Sequence, residues 1–131
     1  MLEMPMVLVI EDEDAIQDLL DDALGEAGFE TGIVRTGEEA VTLLKGGLVR
    51  YCALVTDINL MGRLNGWEVA RAAREVDPTF PVIYISGVAA AQWPEQGVSN
   101  SILLQKPFAS AQLVRALRQL LNKGSQVGSD T

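Results

Sequence analysis

A continuous apolar run at positions 6–10 and a near-continuous one at 51–56, interrupted only by Thr56, pass into carboxylates, Glu11-Asp12 after the first and Asp57 after the second. Neither run alternates polar with apolar residues. Each therefore reads as a strand buried on both faces, the condition of an interior strand in a parallel sheet. Between them the pattern changes to helical spacing: Ala15, Ile16, Leu19, Leu20, Ala23, Leu24 and Ala27 recur every three or four residues, and Gly28 follows as a stop. Residues 30–35, with Ile33 and Val34 inside, form a short second strand. Thr36 with Glu39 makes a capping-box pattern that opens a helix running to Lys45, which Gly46-Gly47 ends.

The alternation continues beyond Asp57. A loop over 58–66 carries turn signals at Gly62 and Asn65-Gly66, and a helix over 67–76 stops at Asp77-Pro78. A fourth strand over 81–85 leads to Ser86-Gly87. The pattern is weakest over 88–100, where a helix begun before Trp93 is broken early by Pro94, Gly97 and Asn100. A last strand, 102–105, ends at Lys106-Pro107. Ser110 then caps a helix reaching Lys123, with Leu113, Val114, Leu117, Leu120 and Leu121 on one face. Five alternations of strand and helix predict an α/β fold, a doubly wound five-stranded parallel sheet with helices on both faces. Right-handed crossovers leave few topologies, of which the flavodoxin-like order 2-1-3-4-5 leads. A single domain over 5–123 accounts for nearly all of the 131 residues, and the small, polar tail 124–131 is expected to be disordered.

Composition excludes several kinds of function. The net charge is −8, and residues 11–30 hold nine carboxylates without one base, which opposes direct binding to nucleic acid or to an anionic membrane. No histidine is present, so histidine-based catalysis and histidine-ligated zinc fall away. The one cysteine, Cys52, forms no disulfide within the chain and reads as a small core residue near a strand start. The first residues lack the basic start and apolar run of a signal peptide, and no apolar stretch approaches the roughly 18 residues of a membrane span. The expected location is the cytoplasm.

The strand ends carry the chemistry. In an open α/β sheet, ligands sit beyond the carboxyl ends of the strands, near the switch point between the first and third. Glu11-Asp12, Asp57, Ser86 and Lys106 would converge there although they are far apart in sequence. Three clustered carboxylates repel one another and call for a cation. An all-oxygen donor set suits a hard ion such as Mg²⁺, which joins carboxylates to phosphate oxygens. Lys106 supplies a charge for phosphoryl oxygens, Ser86 a hydroxyl donor, and an aspartate can attack phosphorus to form an acyl phosphate.

These pieces resemble the response-regulator receiver family over about residues 5–123. The matching segments are VLVIEDE at 7–13, ALVTDINL at 53–60, NGWE at 65–68, PVIYISG at 81–87 and KPF at 106–108. The resemblance implies that Asp57 is the phosphoacceptor, that Asp12 binds Mg²⁺ directly and Glu11 through water, and that Asn59 lends its backbone carbonyl to the metal. It implies that Ser86 grips the phosphoryl group, that Lys106 pairs with Asp57 or its phosphate, and that the Lys106-Pro107 bond is cis. Such a domain catalyses only its own phosphorylation and dephosphorylation. A histidine kinase or histidine phosphotransfer protein would supply the phosphoryl group, and output would pass by protein–protein contact, with a homodimer left open.

Three departures accompany the resemblance. Met61 stands where the family usually has proline, in a loop that reads as one residue longer. Leu103 replaces the aromatic residue often found three positions before the lysine. The fourth helix, with Trp93-Pro94, is atypical. Other readings are a receiver fragment of a hybrid histidine kinase and a receiver-like domain that binds partners without phosphorylation. A haloacid-dehalogenase-type phosphatase would need an acid at position 59, which is Asn59.

Overall fold

A computed structural model of the chain describes residues 4–87 and 90–129. Its elements are β1 (Met6–Ile10), α1 (Asp14–Glu26), β2 (Glu30–Val34), α2 (Gly37–Gly46), β3 (Tyr51–Asp57), α3 (Gly66–Val76), β4 (Val82–Ser86), α4 (Trp93–Gln96), β5 (Ile102–Gln105) and α5 (Ser110–Ser129), with a single 3₁₀ turn, Ala90–Gln92, leading into α4. The five strands form one parallel sheet in the order β2-β1-β3-β4-β5, the doubly wound topology the alternation of elements predicts.

The continuous apolar runs do what burial on both faces requires. Successive side chains of a strand point to opposite sides, so β1 sends Val7 and Val9 one way and Leu8 and Ile10 the other. The first pair joins Leu20 and Leu24 of α1 and Leu113 and Leu117 of α5 in one core. The second joins Leu44 of α2, Val69, Ala70 and Ala73 of α3, and Tyr84 of β4 in the other. All four β1 residues are buried. Trp67 packs in this second core against Tyr84, ring centroids 4.6 Å apart, and serves as a packing residue. Cys52 is half-buried against the first core, and burial pushes its thiol above the ordinary range.

Register brings the strand ends level. Ile10 pairs with Thr56, so Glu11 and Asp57 leave the sheet side by side. Asp57 pairs with Ile85, and Ser86 with Gln105, so Ser86 and Lys106 arrive at the same edge.

Helix ends differ from the sequence reading in instructive ways. Asn65-Gly66, read as a turn, is the start of α3: the Asn65 side chain accepts from the Glu68 N–H, and the Glu68 side chain accepts from the Asn65 N–H. Pro94, read as a breaker, lies in the first turn of α4, where a missing N–H costs no helical bond. Residues 88 and 89 of that segment lie outside the described residues. Ser110 is the first residue of α5 rather than its cap, and the helix continues past Lys123 to Ser129. Its glycines weaken a helix by about 1 kcal/mol each without ending it, and no proline intervenes. The last two residues of the expected tail are not described.

Gly66 shows how closely the loop after β3 is folded. Its N–H donates to the Ile58 carbonyl at 2.8 Å, and a Cβ there would stand 2.3 Å from the Asp57 carbonyl oxygen and 2.8 Å from the Ile58 Cα. Backbone cannot yield as a side chain does. Gly66→Ala is expected to lower the unfolding free energy by about 2–3 kcal/mol, as overpacking does. Gly46→Ala, with open space around the added carbon, should be neutral or stabilising by up to about 1 kcal/mol. Paired denaturant titrations read the contrast.

Candidate functional site

Glu11, Asp12 and Asp57 each offer a carboxylate oxygen, and the three oxygens lie within 4.8 Å of one another. Glu11 is fully buried. One of its oxygens, Oε2, accepts from the backbone N–H groups of Asp12 (3.0 Å) and Glu13 (3.1 Å), while Oε1 is buried without a hydrogen-bond partner. Asp57 is 6% exposed. Its Oδ1 accepts from the Asn59 N–H at 3.1 Å, and its Oδ2 accepts from the Lys106 ammonium at 3.0 Å.

Lys106 is the cation at the centre of these acids. Its Nζ lies 3.3 Å from Glu11 Oε1, within ion-pairing reach though off hydrogen-bonding alignment, and 3.5 Å from Glu13 Oε1. It arrives there because its backbone N–H donates to the Ser86 carbonyl at 2.8 Å, tying the ends of β4 and β5. The Lys106-Pro107 peptide is cis.

The electrostatics follow from one ammonium among several carboxylates. Burial, then repulsion from Asp57, raises the Glu11 pKa above the ordinary carboxylate value, against the opposing pull of the Glu13 N–H and Lys106. Burial works against the Lys106 charge, but the hydrogen bond to Asp57 and the charges of Asp57 and Glu11 outweigh it and raise its pKa. The cluster stays net negative. With oxygen donors alone and a buried Glu11 oxygen that accepts no hydrogen bond and has only the shared Lys106 charge beside it, it fits a hard divalent cation.

The structure thus brings Glu11, Asp12, Asp57 and Lys106 together, with Ser86 buried at the neighbouring strand end and Asn59 held against Asp57 through its N–H. Asn59 itself is exposed. Sequence reasoning missed Glu13, whose contact with Lys106 is signalled only by its being the third acid in a row. It also missed Gln17, whose amide donates to the Glu11 carbonyl at 2.6 Å from the first turn of α1. Leu103 is half-buried in the second core, and Trp93 donates its indole N–H to Ser101 Oγ at 3.0 Å.

Residues 7–118 match the family model described as the response regulator receiver domain. The chain belongs to that family. Among solved structures, a response regulator receiver protein from Sinorhizobium medicae superposes on this receiver domain with a TM-score of 0.89 at 44% identity, covering 92% of this chain and 96% of the other. The receiver domain of the sensor histidine kinase PA1611 from Pseudomonas aeruginosa, described with a magnesium ion coordinated in its active site cleft, gives 0.78 at 25% identity, over 92% and 99%. Of curated relatives, the response regulator receiver protein CpdR of Brucella abortus is 32% identical over 90% of this receiver domain and 98% of its own length. The transcriptional regulatory protein CusR of Escherichia coli is 28% identical over 92% of the chain, which spans about half (53%) of CusR. Among the described residues, no helix is long and apolar enough to cross a membrane.

Lys106→Met should destabilise the protein at neutral pH by about 2 kcal/mol, less than the roughly 3–5 of a fully buried pair because the cleft opens to water. The sign of the pH dependence is fixed by the raised pKa: the ammonium's stabilisation is complete below its ordinary value of 10.5 and is lost as pH rises through the higher folded value. Between neutral pH and 10.5 the wild-type advantage over Lys106→Met, measured by denaturant unfolding, is therefore expected to hold steady, and to shrink above pH 10.5.

Proposed function

We propose that this receiver domain is a phosphoacceptor switch that takes a phosphoryl group onto Asp57 in the presence of Mg²⁺. The observation that carries the reading is the Asp57 carboxylate held between the Asn59 N–H and the Lys106 ammonium, beside a buried Glu11 oxygen that accepts no hydrogen bond.

Glu11, Asp12, Asp57 and the backbone carbonyl of Asn59 would hold the metal. When bound, it neutralises carboxylate charge and orients phosphoryl oxygens. The chain's own groups do the rest. Asp57 is fixed at both oxygens, so its approach to phosphorus is set in advance, and most of the rate enhancement comes from positioning. A carboxylate oxygen of Asp57 attacks phosphorus. The new P–O bond forms as the donor's bond to phosphorus breaks, and the donor leaves with the electron pair. Lys106 then follows the negative charge from the carboxylate to the phosphoryl oxygens, and Ser86 donates a hydrogen bond to one of them. The donor in the cell is the phosphohistidine of a histidine kinase or phosphotransfer protein, and the phosphorylated domain signals by contact with a protein partner. Catalysis is confined to the domain's own phosphorylation and dephosphorylation.

Incubation with acetyl phosphate and Mg²⁺ should add one phosphoryl group, seen in the intact mass. The label should disappear on chelation and in Asp57→Asn, whose uncharged amide is too weak a nucleophile. An Asp57→Asn chain that labels at the wild-type rate would remove the assignment.

A further inference from the structure

Neither of the two loops that leave β1 and β3 at the acidic cluster stands alone. Both are tied to the junction between β2 and α2, residues 35–38, which the proposed chemistry does not use. Arg35 Nη1 donates to the Asp12 carbonyl at 2.8 Å, and Nη2 pairs with the Asp14 carboxylate at the start of α1. Thr36 forms an isolated parallel bridge with Met61. Gly37 lies against the loop after β3: a Cβ there would stand 2.9 Å from the Leu64 Cβ and 3.2 Å from its carbonyl oxygen. Glu38 grips the same loop, Oε2 accepting from the Arg63 N–H at 3.2 Å and Oε1 from the Leu64 N–H at 3.1 Å. Those two bonds, Leu64 first, lower the Glu38 pKa below the ordinary carboxylate value.

The loop over 58–66 needs such a tether. It holds Gly62 at φ 94° and no proline, so its free chain has many conformations. The Gly66 bond to Ile58 closes its base, and Glu38 and the Thr36 bridge hold its tip. Met61 stands within this tethered stretch. One four-residue junction thus touches the loop of Asp12 on one side and the loop of Asn59 on the other.

We propose that residues 35–38 form a bracket that sets the spacing of the two ligand loops, with Arg35 and Glu38 as positioning residues for the divalent cation. The proposal rests on the metal-dependent phosphoacceptor reading above. Groups that hold ligands in place contribute to affinity without touching the metal. Charge alone makes a different prediction. Arg35 is a cation near a cation site, so a purely electrostatic role means that its removal tightens Mg²⁺ binding, whereas a bracket means that its removal weakens it.

The test is a Mg²⁺ titration of the full chain followed by backbone amide resonances, with hydrogen exchange at Arg63 and Leu64 read from the same samples. Arg35 and Glu38 are both exposed, so substitution leaves the cores intact. Arg35→Ala should raise the Mg²⁺ dissociation constant about tenfold, the low end of what such supporting groups contribute. Glu38→Asp keeps the charge but loses the reach, and should raise the constant comparably while exchange at Arg63 and Leu64 accelerates. Glu38→Gln keeps the length and one acceptor and should lose less. Tighter binding in Arg35→Ala, or wild-type affinity in Glu38→Asp despite faster exchange, would overturn the bracket and leave the metal reading standing. A wild-type chain with no saturable Mg²⁺ response would overturn the metal reading itself, and the bracket with it.

Discussion

A carboxylate with no access to water is the constraint around which this structure is arranged. Glu11 sits at the end of an interior strand, and two backbone N–H groups satisfy only one of its oxygens. The other faces Lys106 without a hydrogen bond, and Asp57 lies in the same cleft. An isolated buried charge is costly enough that proteins neutralise, pair or coordinate it. One ammonium shared among Glu11, Glu13 and Asp57 only partly meets that need. The raised pKa of Glu11 is the sign of the deficit. The site holds a surplus of negative charge in a place shaped for oxygen-loving cations, and the parallel sheet is what delivers it there.

Most of that delivery was legible in the amino-acid sequence, for a physical reason. A strand buried on both faces must be apolar throughout, so the first charged residue marks where it leaves the sheet. Glu11 and Asp57 are such residues, and Lys106 follows the last strand at once. Topology then makes them meet, because the strand order places the first and third strands side by side. What was not legible depends on contacts between surface side chains and remote backbone. Glu38 lies in an unremarkable helix first turn, and nothing in its neighbours announces that the N–H groups of Arg63 and Leu64 point at it. Arg35 is equally silent. Such bonds have no periodicity, so pattern reading cannot find them. Asn65 was misread because the same residue types serve turns and helix caps, and only Glu68, three positions on, tells them apart.

The weak sequence signal over residues 90–100 has a different cause. Of the helices, α4 is the one without a buried side chain in its span, so it has no apolar stripe to read. Trp93 and Val98 pack half-buried against the second core, and hydrogen bonds supply the other ties. Arg71 donates to the Gln96 side chain at 2.7 Å, Trp93 to Ser101, and the Val98 N–H to the Tyr84 hydroxyl at 3.1 Å. Each such bond contributes on the order of 1 kcal/mol net.

The two kinds of attachment divide the molecule by what it costs to move each part. Shifting α1, α3 or α5 exposes core side chains such as Leu24, Val69 or Leu117, at about 1.5–3 kcal/mol for each one uncovered. Rearranging α4 uncovers only the half-buried Trp93 and Val98 and exchanges a few polar bonds for bonds to water, so it costs less than shifting the other helices. Strand β4 carries both Ser86, beside Lys106, and Tyr84, whose hydroxyl receives the Val98 N–H. The path from the carboxylate cluster to this segment is therefore two residues long along one buried strand. It runs through Tyr84 in β4, with Leu103 paired beside it in β5 rather than an aromatic ring. The acids thus sit beside the end of a buried strand whose Tyr84, two residues back, packs in the second core and ties the segment that follows, so the cheapest part of the fold to move lies next to the carboxylate cluster.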